Sequence, residues 1–394
     1  MNVTTVTDLD LKAGDEVLLR LDLNVPMENG KVTDDTRIRA TLPTIEYLRE
    51  KRCKIIAMSH LGRPKRKDPA LSLEPAAARL AEIVGSEVLF GHEPGGEEME
   101  LVVRELQPGG ILVLENLRFD PGETAPDPNF AAGLARLART YVNDAFGTMH
   151  RKDASIALVP GLVERAAVGL LVKREIEALD RLLEAPEKPF VAVLGGAKVS
   201  DKIGVIENLS RRCDAILIGG AMAYTFLKAK GKAVGDSLVE DDKLLLAERL
   251  LERCSERGTR VLLPVDHVVA TSLEDTTDVK VVAEIEPGWK GLDIGPATVS
   301  AFTQAILDAR SVFWNGPMGV FEKDAFSGGT RGVGEALAAS EGYTVVGGGD
   351  SAAAIAKFHL DQRIDYISTG GGASLTYMEG AELVGLKAIR ARGN

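Results

Sequence analysis

The sequence holds little of what disulfide, metal, membrane and nucleic-acid proteins are built on. Cysteine occurs three times in 394 residues, at Cys53, Cys213 and Cys254. Thiols so few, scattered and odd in number support neither a disulfide framework nor a zinc site, and they fit a reducing, cytoplasmic setting. Histidine occurs five times, and no nucleophile–base pair stands out. No apolar run reaches the ~18–20 residues of a membrane span. The best stretch, 154–172, is broken by Pro160, Glu164 and Arg165. The first residues carry acids where a secretory signal would place basic residues ahead of an apolar run. Positive charge is short as well. The net charge of −11 argues against the broad basic surface of a nucleic-acid binder, while leaving room for local basic pockets. Three nucleotide-binding signatures are also missing: G-x-x-x-x-G-K-S/T, G-x-G-x-x-G after a strand, and H-R-D with D-F-G.

What is present is a repeated alternation. At 394 residues the chain exceeds what one hydrophobic core usually supports, so two domains of roughly 150–200 residues are expected. Apolar runs at 16–25, 54–59, 110–119, 140–146, 190–196, 215–220, 260–266, 311–317, 343–349 and 366–372 read as strands. Most are short, aliphatic and apolar on both faces, as in a buried parallel sheet. Segments such as 73–84 and 241–257, with apolar residues three and four apart, read as helices between them. The pattern predicts an α/β protein whose parallel sheets are covered on both sides. In such folds ligands bind beyond the carboxyl ends of the strands. Here those ends carry the unusual residues: Asp22, Asn24, Ser59, His60, Asn116, Arg118, Asn143, Asp144 and four glycine clusters. The amphipathic segment 168–183 (VGLLVKREIEALDRLL) reads as a helix connecting a basic first half to a glycine-rich second half.

In the first half Arg37, His60, Arg63, Arg118 and Arg151 stand at strand ends or in the loops beyond. A guanidinium presents a planar fork of donors suited to phosphate or carboxylate, so several around one pocket imply a ligand with more than one negative charge. Surface pairing with acids is the plainer reading of any single arginine. The Lys65-Arg66-Lys67 run reads as a solvated loop. Asp22 and Asn24 are candidates to accept hydrogen bonds from substrate hydroxyls, or simply form the turn before Pro26.

In the second half 195–202 (GGAKVSDK) follows a strand and is expected to open a helix with Val199, Ile203, Ile206 and Leu209 on its apolar face. Lys198 and Lys202 would then share a face of the first turns. Cations there oppose the helix dipole unless an anion is bound, which is how a phosphate site would look. Gly347-Gly348-Gly349-Asp350-Ser351 repeats the plan, with Asp350 either a helix cap or a contact for Mg²⁺. Gly219-Gly220, Gly370-Gly371-Gly372 and Trp314-Asn315-Gly316-Pro317, leading to Glu322, are further polar or glycine-rich strand ends.

Taken together, RLDLNVP, DDTRIRA, SHLGRP, LENLRF, NDAFGTMHR, LGGAKVSDKI, GGAMAYTF, LDIGP, WNGPMGVFE, VVGGGDSAAAI and STGGGASL resemble the phosphoglycerate kinase family, in that family's order over residues 20–374. The resemblance implies two Rossmann-like, three-layer domains with parallel sheets facing a central cleft. It implies a phosphoglycerate-binding domain over 1–167, with 375–394 packing back on it. A connecting helix over 168–185 and a nucleotide-binding domain over 186–374 would complete the chain. By the same resemblance Asp22, Asn24, Arg37, His60, Leu61, Gly62, Arg63, Arg118 and Arg151 would hold 3-phosphoglycerate or 1,3-bisphosphoglycerate. Gly195, Lys198, Lys202, Gly219, Gly291, Asn315, Pro317, Glu322, Gly348, Gly349, Asp350 and Ser351 would hold ADP or ATP. Glu322 would take the ribose hydroxyls and Asp350 would approach magnesium. A monomer is expected, with small-molecule partners only.

The implied reaction moves a phosphoryl group between two oxygens that are already anionic, so no general base is needed. Catalysis would rest on positioning, closure about the connecting helix and electrostatic stabilisation, assigned to Arg37, Lys198 and the amides at Gly371 and Gly372. The sequence departs from the family pattern at Asp153 and Met149. A carboxylate two residues from Arg151 is expected to weaken binding of the substrate phosphate. Two other readings stay open here: a nicotinamide-dependent dehydrogenase, and a phosphoglycerate-binding paralogue with impaired catalysis.

Overall fold

The computed structural model describes residues 3–274 and 276–392. They form two compact units. Described residues up to Glu177 and from Glu382 onward make the first, and Ala178–Ala381 make the second.

The first unit is built on β1 (Glu16–Arg20), the hairpin strands β2 (Met27–Glu28) and β3 (Lys31–Val32), then β4 (Lys54–Met58), β5 (Val88–Gly91), β6 (Ile111–Leu114), β7 (Thr140–Asn143) and β8 (Arg165–Val168). Apart from the hairpin these pair in the order β5-β6-β4-β1-β7-β8, all parallel. Central β1 sets Leu18 beside Ile56 on one side and Tyr141 on the other. Alternate residues fill both faces. Val17 and Leu19 join Ile45, Leu48, Ala76 and Leu80 from flanking helices in one core, while Leu18 is fully buried on the opposite face. Connections from β1 go first to one side of the sheet and later, through β7, to the other, so the strand order reverses beside β1. That reversal is where a crevice opens at the carboxyl ends of the strands.

The second unit repeats the plan with β9 (Phe190–Leu194), β10 (Ala215–Ile218), β11 (Arg260–Leu262), β15 (Ser311–Asn315), β16 (Tyr343–Gly347) and β17 (Tyr366–Ile367), ordered β11-β10-β9-β15-β16-β17 and all parallel. Between β11 and β15 lies a small antiparallel sheet that the alternation of apolar runs does not reveal. It is β13-β12-β14, from β12 (His267–Ala270), β13 (Lys280–Val282) and β14 (Lys290–Ile294). Trp314, fully buried in β15, packs with Val193, Phe302, Leu337 and Val346, and its indole N–H donates to the Gly316 carbonyl at 2.8 Å.

The helix Leu170–Leu183 buries Val172, Ile176, Leu179 and Leu182, and the division between the units falls within it. Residues 375–381 stay with the second unit. They belong to and follow the helix Gly372–Met378, where Asn208 donates to the Met378 carbonyl at 2.8 Å. The return to the first unit begins at Glu382, seven residues later than the sequence suggests. There Leu383, Leu386 and Ile389 are buried, and the Gly385 amide donates to the Met149 carbonyl at 2.9 Å.

Asp144, just beyond β7, ties the start of the helix Leu170–Leu183 to the sheet. Its Oδ1 accepts the amides of Leu171 and Val172 at 2.9 and 3.3 Å, while Oδ2 is buried with no partner among the described residues. Burial raises its pKa from 3.8 to about 6, against the hydrogen bonds from Thr44 and the two amides. The folded state therefore holds this proton more tightly than the unfolded chain does. Its contribution to stability is complete below about pH 4 and is lost as the pH rises through about 6. Asp144→Asn cannot titrate, so relative to wild type it should gain up to about 3 kcal/mol between pH 4 and pH 7. Denaturation midpoints of the two proteins across that range check this; parallel profiles would refute it.

Candidate functional site

The crevice of the first unit gathers most of its basic candidates. His60, after β4, is 1% exposed. Arg20 Nη2 is 3.3 Å from its Nδ1, and Arg151 Nη1 is 3.3 Å from its Nε2. Desolvation and then the charges of Arg20, Arg118, Arg151 and Arg37 hold the His60 pKa well below its usual value. The ring is neutral, and a neutral imidazole accepts at only one nitrogen. One of its two guanidinium contacts therefore sets donor against donor, a conflict that a bound anion would relieve.

The surrounding loops are tied to one another. Arg37, on the helix Thr36–Ala40, donates to Asp22 at 2.7 Å. Asn24 accepts the Gly62 amide at 2.9 Å, and Arg118 donates to the Gly62 carbonyl at 2.7 Å. Asn116 brackets Leu61, accepting its amide at 3.1 Å and donating to its carbonyl at 2.8 Å. Asp22 and Asn24 thus hold the crevice together. Arg63 follows Gly62 and is exposed. Lys67 pairs at the surface with Glu93 at 3.0 Å, as a solvated loop would.

Sequence reasoning passed over Arg20 and Glu123, both with no exposed side-chain surface and 3.8 Å apart. Ser155 joins them, accepting from Arg20 Nε at 3.0 Å and donating to Glu123 at 2.6 Å. The available signal was a charged residue inside the apolar run of β1. Asp153 also differs from expectation. The ion pair it makes is with Arg118, at 3.5 Å, because the chain turns into the helix Ala154–Ala157 just there. Met149 is fully buried and packs beside Gly385 of the C-terminal helix Val384–Arg392.

In the second unit the glycine-rich loops after β9 and β15 lock together. The Gly195 amide donates to the Asn315 carbonyl at 3.0 Å and the Gly196 amide to the Pro317 carbonyl at 2.9 Å. A side chain at Gly195 would collide with the Pro317 carbonyl oxygen, so the close approach demands glycine. Beside them a cavity of about 530 Å³ is lined by Gly196, Tyr224, Gly291, Pro317, Glu322 and Asp350, among others. At Gly291 a Cβ would strike the Tyr224 hydroxyl, again leaving room only for glycine. Gly219 and its amide bond to Leu194, Gly348 at the start of the helix Gly349–Lys357, and Ser351, accepting the Gly316 amide at 2.6 Å, complete the framework. Gly371 and Gly372 open the helix Gly372–Met378.

One local expectation fails. The helix after β9 begins at Ile203, leaving Lys198 exposed in the preceding bend and Lys202 at the N-cap, so the two do not share a helical face. Gly196 is held on the neighbouring loop, and Ser200 is bound by Glu240 through its amide at 3.1 Å and its hydroxyl at 2.6 Å, which delays the helix. Lys202 turns inward and donates to Asn315 Oδ1. Desolvation lowers its pKa to about 8, opposed by Asp201, Asp350 and Glu379. Another cavity, about 580 Å³, is lined by Asp34, Asp35, Arg79 and Glu82 but holds none of the expected site residues. Its arginine is already paired, Asp35 binding Arg79 at 2.7 Å.

The sequence pattern of phosphoglycerate kinase matches residues 6–381. The chain belongs to the phosphoglycerate kinase family. A phosphoglycerate kinase of Anaeromyxobacter dehalogenans is 52% identical over 98% of this chain and 99% of its own length. One of Rubrobacter xylanophilus is also 52% identical, over 100% of this chain and 99% of its own. Among solved structures, phosphoglycerate kinase from Coxiella burnetii matches with a TM-score of 0.90 and 38% identity, covering 100% of both chains. That from Pyrococcus horikoshii matches at 0.86 and 33%, covering 99% of both. The chain is therefore an enzyme of this family, a kinase of glycolysis that transfers a phosphoryl group reversibly between small-molecule substrates. The dehydrogenase reading is set aside, and nothing favours the impaired paralogue. Among the described residues no helix is long and apolar enough to cross a membrane.

Lys202 gives this site a pH signature. Its ammonium is lost as the pH rises through about 8, earlier than an ordinary lysine. Any anionic ligand that meets this ammonium, with ADP as the probe, should lose affinity severalfold between pH 7 and pH 9, and Lys202→Arg should hold it flat, since a guanidinium stays charged. Calorimetric titration of ADP at three pH values tests this; a wild-type affinity independent of pH would count against it.

Proposed function

We propose that the first unit binds 3-phosphoglycerate or 1,3-bisphosphoglycerate, that the second binds ADP or ATP, and that transfer follows when both are held together. The observation that carries the reading is the convergence of Arg20, Arg37, Arg118 and Arg151 on the buried, neutral His60. Like charges gathered at one crevice are costly when empty and are suited to a ligand with several anionic groups.

On this reading Arg37, His60, Arg63, Arg118 and Arg151 face the phosphoglycerate, while Asp22 and Asn24 hold the loops that carry them. In the second unit Gly195, Gly219, Gly291, Asn315, Pro317, Gly348, Gly349 and Ser351 shape the nucleotide pocket, Glu322 meets the ribose, and Lys198 and Lys202 meet the phosphates. Magnesium suits the surroundings of Asp350, an exposed carboxylate at a helix start on the rim of the same cavity. A single protein carboxylate is what Mg²⁺ commonly takes when phosphate oxygens and water supply the rest of its shell. Bound there, it would neutralise phosphate charge. The cytoplasmic setting and monomeric state expected from the sequence belong to this reading too.

The acceptor carboxylate is already ionised, so His60 need move no proton and its neutral state fits a role in binding. Arg37, Lys198 and the amides at Gly371 and Gly372 stabilise charge on the phosphoryl group in transit. Arg37→Ala and Lys198→Ala should each lower kcat by ~10²–10³. The assay couples 3-phosphoglycerate and Mg-ATP to glyceraldehyde-phosphate dehydrogenase and NADH. Loss of turnover on chelating magnesium supports the cofactor, and a tenfold loss or less in both variants would remove the assignment. Because the two sets of residues lie on separate units, the substrates must be brought together by domain closure. Small-angle scattering should show the particle contract only when both substrates are present; an unchanged radius would exclude closure.

A further inference from the structure

Asp153 stands where an aspartate ordinarily accepts an amide of the following helix. Its carboxylate makes no such bond to the helix Ala154–Ala157. It is 7% exposed, and its Oδ2 finds no hydrogen-bond partner among the described residues. It faces Arg118 Nη2 at 3.5 Å, beyond the ~2.7–2.9 Å of a good charged hydrogen bond. Arg118 is equally unfinished. Nη1 donates to the Gly62 carbonyl at 2.7 Å, but Nε is buried without a partner among the described residues. The two groups neutralise each other's charge while the guanidinium keeps donors for something else.

The rest of the crevice shows why a carboxylate belongs there. Arg20 has Glu123 and Arg37 has Asp22 as its acid. Only 11% of the Arg118 side chain is exposed, and both desolvation and the nearby Arg151 work against its charge, with Asp153 opposing them. Without Asp153 the empty crevice would hold an unbalanced, partly desolvated guanidinium.

We propose that Asp153 is a built-in counter-ion that holds Arg118 in the empty site and competes with the anionic ligand for it, thereby setting the affinity for phosphoglycerate. The proposal rests on the first unit's being the phosphoglycerate site. A ligand oxygen that takes the waiting Arg118 donors is brought beside the Asp153 carboxylate. The repulsion weakens binding and speeds release, and it also keeps adventitious oxyanions from occupying the site.

The test is calorimetric titration of the full-length protein with 3-phosphoglycerate, and separately with inorganic sulfate, at one ionic strength. Wild type, Asp153→Asn, Arg118→Ala and the double variant are compared. Asp153→Asn should bind both ligands roughly tenfold more tightly, with KM for 3-phosphoglycerate falling in step. In the Arg118→Ala background the same substitution should change affinity by less than about twofold, since the competition needs Arg118. Unchanged or weaker binding by Asp153→Asn, or an equal gain with Arg118 absent, overturns the proposal. If Arg118→Ala alone binds 3-phosphoglycerate as tightly as wild type, the site reading itself fails. Should Asp153→Asn not fold, Asp153→Ser, whose hydroxyl can cap the helix, is judged by the same outcomes.

Discussion

A parallel sheet covered on both faces leaves its chain few places for polar groups that are not bonded to backbone. Every side chain of β9 is apolar, and the one buried charge of β1, Arg20 at the strand's last residue, is paired with Glu123; an unpaired polar group there would cost about 1–3 kcal/mol. Only past the last residue of each strand does the chain reach loops where side chains can converge. His60, Arg118 and Asp144 follow three strands of one sheet, and Gly195, Gly219, Asn315 and Gly348 end or follow four strands of the other. The strand order reverses beside β1 and beside β9, which parts the flanking loops and opens a crevice at each place. The position of both sites follows from that single constraint.

The two crevices are built from different chemistry. The first uses guanidiniums, which repel one another when the site is empty. It limits that cost with internal acids, Glu123 for Arg20, Asp22 for Arg37 and Asp153 for Arg118, and with a histidine that burial keeps neutral. The second relies on backbone. A side chain is excluded at Gly195 by the close approach of the Pro317 loop and at Gly291 by the Tyr224 ring, which leaves amides and a shaped wall lining the crevice, with two lysines beside it. Neutral amides carry no penalty of mutual repulsion, so this site needs fewer counter-charges.

Buried carboxylates also join sheet to helix. Asp144 binds the first amides of the helix Leu170–Leu183, and Asp293 binds the Gly329 amide at 2.7 Å near the start of the helix Gly328–Ala339. Burial raises both acids, Asp293 to about 7. Each lies beside segments that carry site residues, 143–151 in one unit and 291–294 in the other, so the supports of the two sites are pH-sensitive in the same direction.

Much of this was legible beforehand. Short aliphatic runs ending in Asp, Asn, Arg or Gly determined the parallel α/β class and nominated the strand ends, because burial on both faces forbids such residues anywhere else. The unbroken series of motifs determined the family. What local pattern left undecided were contacts between residues far apart in the chain. Arg20 drew no notice as the last residue of an apolar run, yet it meets Ser155 and Glu123, more than a hundred residues away. Lys198 and Lys202 read as neighbours on a helix until Glu240 and the Pro317 loop drew the segment out of helical geometry. Asp153 was placed with Arg151 by its number and with Arg118 by the fold. The sequence by itself determined which chemistry stands at the end of each strand, since periodicity and burial are local properties. Which charge faces which depended on the order of strands in the sheet, a non-local property that only the tertiary structure decided.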